Sequence, residues 1–222
     1  MRPPSATWRR MPAALLALVV AATLSTAALL PSRDTQQADT ARPLSIAVIG
    51  DTFTAGELNG VVWPTLLARR TGWTFSNFAL PDAGFAADGR GGHAFTHQVD
   101  RALAARPGVI LIVAGQADNG VQNMGLVAMG VRDALNKAIR SGSRVLVVGP
   151  TWYESPVPEK VDTVSATVAR IAEETGVPFL RATDPPWLDA SQMGPNLHSP
   201  NDVGQSVIAD EIAAWLPTEL AT

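Results

Sequence analysis

Several side chains in this 222-residue chain have types and spacings that suit chemistry. His93 and His97 stand four apart, which puts two imidazoles on one side of a helix, with Asp100 one turn further on. They form a possible metal pair, but no third ligand is at hand, and two solvated surface histidines are the expected reading. Gly89, Gly91 and Gly92 in the run DGRGG have the composition of a phosphate cradle. They do not join a strand directly to a helix, so no nucleotide site is expected. Asp51 and Asp118 are carboxylates in turns, each expected to fix its loop as a hydrogen-bond acceptor rather than to act on a substrate. Trp152 and Tyr153 either line a ligand pocket or pack a loop over the sheet, while Trp63 and Trp215 are assigned to helix–sheet packing. The chain has no cysteine. That excludes disulfides, Cys-ligated zinc, iron–sulfur clusters, a thiol nucleophile and a lipidated N-terminal cysteine.

The elements that must position these residues alternate. Residues 44–50 (LSIAVIG), 108–115 (GVILIVAG) and 144–149 (RVLVVG) are short apolar, β-branched runs of the kind found in buried strands. Residues 73–80 and 177–180 are weaker strand candidates. Between them lie stretches with helical spacing at 63–70, 93–105, 121–140, 161–174 and 202–215. In the last, Val207, Ile208, Ile212 and Trp215 fall near one face, and Asn201 or Asp202 can cap it. Five strands alternating with five helices predict an α/β domain, a parallel sheet covered on both faces in three layers. In such sheets ligands bind beyond the carboxyl ends of the strands. Four loops lie there: 50–56, 80–92, 115–120 and 184–201.

The rest of the composition sets the surroundings. With 46% hydrophobic and 17% charged residues, the chain can build one sizeable core and is not a disordered protein. Residues 1–43 carry five arginines against Asp34 and Asp39, whereas residues 44–222 carry 12 Lys and Arg against 18 Asp and Glu. An acidic body without a basic stripe argues against nucleic acid as partner. Arg2, Arg9 and Arg10 precede an uncharged run over 11–30. At roughly 1.5 Å per residue, a helix of that run is long enough for the ~30 Å hydrocarbon layer. Arginines on its N-terminal side predict that this end stays cytoplasmic and the remainder is exported. The segment 1–30 is therefore read as a signal anchor, or as a signal peptide cleaved near 25–28. Residues 31–43 read as a polar tether and 44–222 as the folded domain.

The four loops also carry a resemblance. Gly50-Asp51-Thr52-Phe53-Thr54-Ala55-Gly56 resembles the Gly-Asp-Ser-x-Thr-x-Gly block that opens the SGNH (GDSL) hydrolases. Gly84 matches that family's second block, and Gly115-Gln116-Ala117-Asp118 its Gly-x-Asn-Asp block. The run from Asn196 to Gly204 matches the Asp-x-x-His-Pro-x-x-x-Gly block before the last helix. The resemblance spans nearly all of 44–220 and implies a flavodoxin-like, three-layer α/β/α fold and an acyl-ester hydrolase of the lipase and esterase class, working without a cofactor. By resemblance, Thr52 stands at the nucleophile and, with Gly84, at the oxyanion hole. Ala117 replaces the Asn that donates a side-chain amide to the oxyanion. An ungapped match puts Ser199 at the base and Asn196 at the orienting Asp, with His198 one position early.

These departures weigh unequally. Losing one oxyanion donor costs about 10²–10³ in rate, whereas losing the base costs about 10⁶. The expectation is a family member with weak or no activity unless a shifted loop presents His198 to Thr52. The alternative is a non-catalytic module that binds an envelope ligand or protein. Its partner is expected to be an acyl ester or an envelope glycan or lipid, with membrane contact through residues 11–30 if they are retained.

Overall fold

The computed structural model describes residues 44–221. The segment read as a signal anchor or signal peptide and the tether after it lie outside the described residues. Among the described helices none is long and apolar enough to cross a membrane.

The apolar runs form the centre of a parallel sheet. Strands β1 (Ser45–Ile49), β2 (Thr74–Asn77), β3 (Val109–Val113), β4 (Arg144–Val148) and β5 (Phe179–Leu180) lie in the order β2-β1-β3-β4-β5. β3 is buried at every residue, as a central strand covered on both faces must be. Alternation along each strand divides the core in two. Ala47, Ile49, Ile110, Ile112, Val145 and Val147 point to one face. There they meet α3 (Phe95–Ala104), α4 (Met124–Arg140) and α5 (Glu159–Glu174). Ile46, Val48, Leu111, Val113, Leu146 and Val148 point to the other. They pack on α1 (Thr52–Ala55), α2 (Trp63–Thr71) and α6 (Asp202–Leu220). The three-layer α/β/α fold expected from the sequence is the one observed.

Beyond shifts at element ends (the 121–140 helix begins at Met124, and the 73–80 strand spans Thr74–Asn77), two details differ from the sequence reading. The loop after β1 contains α1, a four-residue helix too short for any periodicity to mark. The last helix runs on to Leu220, past the expected end at Trp215. Pro217 lies inside it, and the helix continues past the proline with Leu216 buried and Leu220 packed against the core. Trp63 is fully buried and Trp215 packs at the edge of the same cluster, as expected for helix–sheet packing.

Candidate active site

The turn after β1 is held from three sides. Asp51 caps α1: its Oδ1 accepts the Phe53 N–H at 2.9 Å, while its Oδ2 accepts the Gln116 N–H at 2.8 Å. One carboxylate thus ties the turn after β1 to the turn after β3. Asp51 is buried, and that burial pushes its carboxyl from 3.8 up to about 6, against the two N–H donors that pull it down. From the α3 side, the Gln98 amide exchanges two 3.0 Å bonds with the Gly50 backbone. From the α6 side, Gln205 accepts from the Trp63 N–H at 2.8 Å and donates to the Phe53 carbonyl at 3.0 Å. The sequence reading missed both glutamines. Their signal was present, since each is a polar residue on a helix face otherwise built to be buried.

Thr52, the first residue of α1, is completely buried. Its Oγ1 accepts the Asp82 N–H at 2.9 Å and donates to Asp82 Oδ1 at 3.4 Å. That same Oδ1 lies 3.1 Å from His198 Nε2. Thr52 and His198 are therefore brought together, with a carboxylate between them. Asp82 was not singled out from the sequence. It sits in the loop after β2, two residues before Gly84, with a left-handed backbone (φ 62°). Its other oxygen accepts from Arg90 Nε at 3.3 Å, and Arg90 reaches on to Glu57 at 3.1 Å.

Gln116 holds the other side of His198. The Gln116 side-chain nitrogen donates to the His198 carbonyl at 2.8 Å, which identifies it as the NH₂ end of the amide. The same nitrogen is 3.4 Å from His198 Nδ1. An NH₂ group only donates, so this contact is a hydrogen bond only when Nδ1 carries a lone pair. With Nδ1 in that role, the Nε2 hydrogen is the one donated to Asp82 Oδ1. A general base serving Thr52 would need the opposite tautomer, with a free lone pair on Nε2.

The remaining candidates take other places. Gly84 is buried, and its N–H donates to the Ala87 carbonyl at 2.9 Å. Ala117 opens a 3₁₀ turn (Ala117–Gly120) and offers no side-chain donor. Asn196 Oδ1 accepts the His198 N–H at 3.1 Å, shaping the backbone of that loop and touching no ring atom. Ser199 is buried, with its hydroxyl 3.4 Å from the Pro200 carbonyl, so at this site the ring of His198 faces Asp82 and Ser199 does not. Asp118 orders its loop by accepting the N–H groups of Phe85, Ala86 and Ala87 at 2.7–3.0 Å. Beside the site, on the far side of Ser199, opens a cleft of about 380 Å³ lined by Leu58, Asn59, Pro195, Asn196, Ser199 and Val203, among others.

Elsewhere, His93 and His97 stack ring on ring at 3.9 Å, and Asp100 pairs with Lys137 at 2.8 Å. Among the described residues no group of three or more His, Cys, Asp or Glu is placed to hold a metal ion. Trp152 and Tyr153 stack at 5.0 Å, with Tyr153 packed against the core.

The GDSL-like lipase/acylhydrolase family matches the sequence over residues 48–207. No curated protein matches it. Solved structures do. A lipolytic protein of the G-D-S-L family from Desulfitobacterium hafniense superposes with a TM-score of 0.63 at 18% identity, over 76% of this chain and 97% of that one. The psychrotrophic esterase EstA from Pseudoalteromonas gives 0.62 at 16%, over 80% and 98%. A family two carbohydrate esterase from Clostridium thermocellum, solved in complex with cellohexaose, gives 0.64 at 16%, over 81% and 66%. At these identities the likeness concerns the fold.

Proposed function

The chain belongs to the GDSL-like lipase/acylhydrolase family, and from that premise we propose that it is an extracytoplasmic member whose ester-hydrolysing site is silent and whose fold serves to bind an envelope ligand. The observation that carries this reading is the state of the Thr52 hydroxyl. It has no solvent exposure, and both its accepting and its donating bonds go to Asp82. Hydrolysis by a hydroxyl nucleophile needs an exposed oxygen, a base with a free lone pair and donors for the oxyanion. Here the oxygen is covered, His198 Nε2 faces the Asp82 carboxylate rather than the hydroxyl, and the Gly84 N–H is engaged with Ala87.

The ligand class is an acyl ester or an envelope glycan or lipid. The cleft beside Ser199 is the place for it, with exposed Leu58 and Val203 supplying apolar contact at its mouth. The cellohexaose bound by the Clostridium esterase supports a glycan among these classes. Export would follow from the arginines before residues 11–30, with that run holding the protein at the membrane if it is retained.

A second reading, a slow esterase, draws on one observation: Thr52 and His198 do converge on a single carboxylate oxygen. Hydrolysis of 4-nitrophenyl acetate separates the two. The silent reading expects wild type, Thr52→Ala and His198→Ala to share one background rate. Turnover that falls at least tenfold with both substitutions would establish the slow enzyme instead.

A further inference from the structure

The three groups that hold Asp82 have a chemistry in common. Thr52 Oγ1 and His198 Nε2 both bond Oδ1, at 3.4 and 3.1 Å, and Arg90 Nε bonds Oδ2 at 3.3 Å. A hydroxyl, an imidazole N–H and a guanidinium, aimed at the two oxygens of one planar group, make a receptor for a carboxylate. We propose that this is a small-carboxylate site whose occupant is the chain's own Asp82: its carboxylate stands where an external acid, or the acyl carbonyl of an ester, would have to lie to touch both Thr52 and His198. The inference rests on the silent-site reading above and says what keeps the site closed.

Local structure supports this. Asp82 has a left-handed backbone, its N–H donates to Thr52 Oγ1, and its half-exposed carboxylate accepts from the same hydroxyl. The loop therefore closes over the hydroxyl with both main chain and side chain. Asp and Asn are among the few residues with side chains that adopt such a conformation readily. Arg90 also pairs with Glu57 at 3.1 Å, so Asp82 is one of two carboxylates that the guanidinium meets. Because Asp82 is tethered and already oriented, its effective concentration at the site is of molar order or higher, well above that of the free acid that must compete with it. Removing the carboxylate while leaving the donors should therefore open the site to a free acid of the same shape.

The test uses Asp82→Gly, which accepts the left-handed backbone and deletes the side chain. Wild type, Asp82→Gly and Asp82→Gly/His198→Ala are melted in 100 mM sodium acetate and in 100 mM sodium chloride. Binding with a dissociation constant of about 10 mM raises the Tm of Asp82→Gly by about 3 °C in acetate relative to chloride. The same titration shifts the ring signals of His198 saturably in an NMR spectrum. Wild type and the double variant are expected not to respond. An Asp82→Gly protein indifferent to acetate, or a wild type that responds equally, overturns the proposal. Should the glycine variant fail to fold, Asp82→Asn keeps the turn and the shape and removes the charge. His198 ring signals unchanged in that variant would overturn the proposal too. Ester turnover is measured on the same samples. Thr52-dependent turnover by wild type would sink the silent reading, whereas the acetate response judges the occupant.

Discussion

At the scale of single residues, the site depends on two carboxylates with different surroundings. Asp82 is half-exposed and shares its charge with His198 and Arg90. Asp51 is buried, and its charge is met mainly by backbone N–H groups. That difference has a measurable consequence. A carboxyl with a pKa of about 6 when folded and 3.8 when unfolded binds more protons in the folded state between those values. Its contribution to stability is therefore complete below about pH 4 and is lost as the pH rises through 6, amounting to about 3 kcal/mol. Asp51→Asn removes the titration. Denaturation in urea at pH 4 and pH 7 should show the wild type losing about 2–3 kcal/mol more than the variant over that interval. A difference that stays constant with pH would mean that Asp51 titrates as an ordinary exposed carboxyl. Asp51 could be picked out of the sequence because it precedes Thr52 in a recognisable block. Asp82 and Gln116 could not. Each acts on His198, which is 116 and 82 residues away in sequence respectively, and a motif records spacing along the chain but not contacts across it.

At the scale of elements, the turns after β1, β2 and β3 interlock through close approaches that admit no side chain. A Cβ on Gly115 would lie 1.9 Å from the Asp51 carboxyl carbon, and one on Gly84 would lie 2.5 Å from Asp118. The match at Gly84 in the sequence was therefore legible as a position, but its physical reason is the buried carboxylate it leaves room for. The strands and long helices were legible because burial on two faces leaves an apolar pattern. The short helix α1 was not, since four residues give no period and its formation depends on the Asp51 cap and on glutamines from two distant helices. Gly115→Ala tests this interlock. The added methyl must displace Asp51, and the expected loss is about 3 kcal/mol, the upper part of the usual range for overpacking. Gly120→Ala, in the same loop but with open space around the new methyl, should change stability by less than about 0.5 kcal/mol. Equal losses in urea denaturation would show that the loop relaxes around Asp51 freely.

At the scale of the whole molecule, charge and hydropathy separate two jobs. Residues 44–222 carry a net charge of −6, and the described residues supply both halves of the core, while three arginines precede the uncharged run over 11–30. The parallel sheet places the site-forming loops beyond the carboxyl ends of its strands, so the Thr52–Asp82–His198 cluster and the cleft beside it lie at one edge of the domain. On the proposed binding function, where that edge faces matters more than rate. The arginine bias predicts a cytoplasmic N-terminus and a domain outside. In cells producing the full chain, the protein should sediment with membranes and resist extraction at alkaline pH. Protease added to intact spheroplasts should digest the domain, while a cytoplasmic marker stays whole. A shortened, freely soluble protein in the extracellular fraction would mean that the segment is cut as a signal peptide. A domain protected from protease until the cells are broken would overturn export itself, and with it the envelope as the source of the ligand.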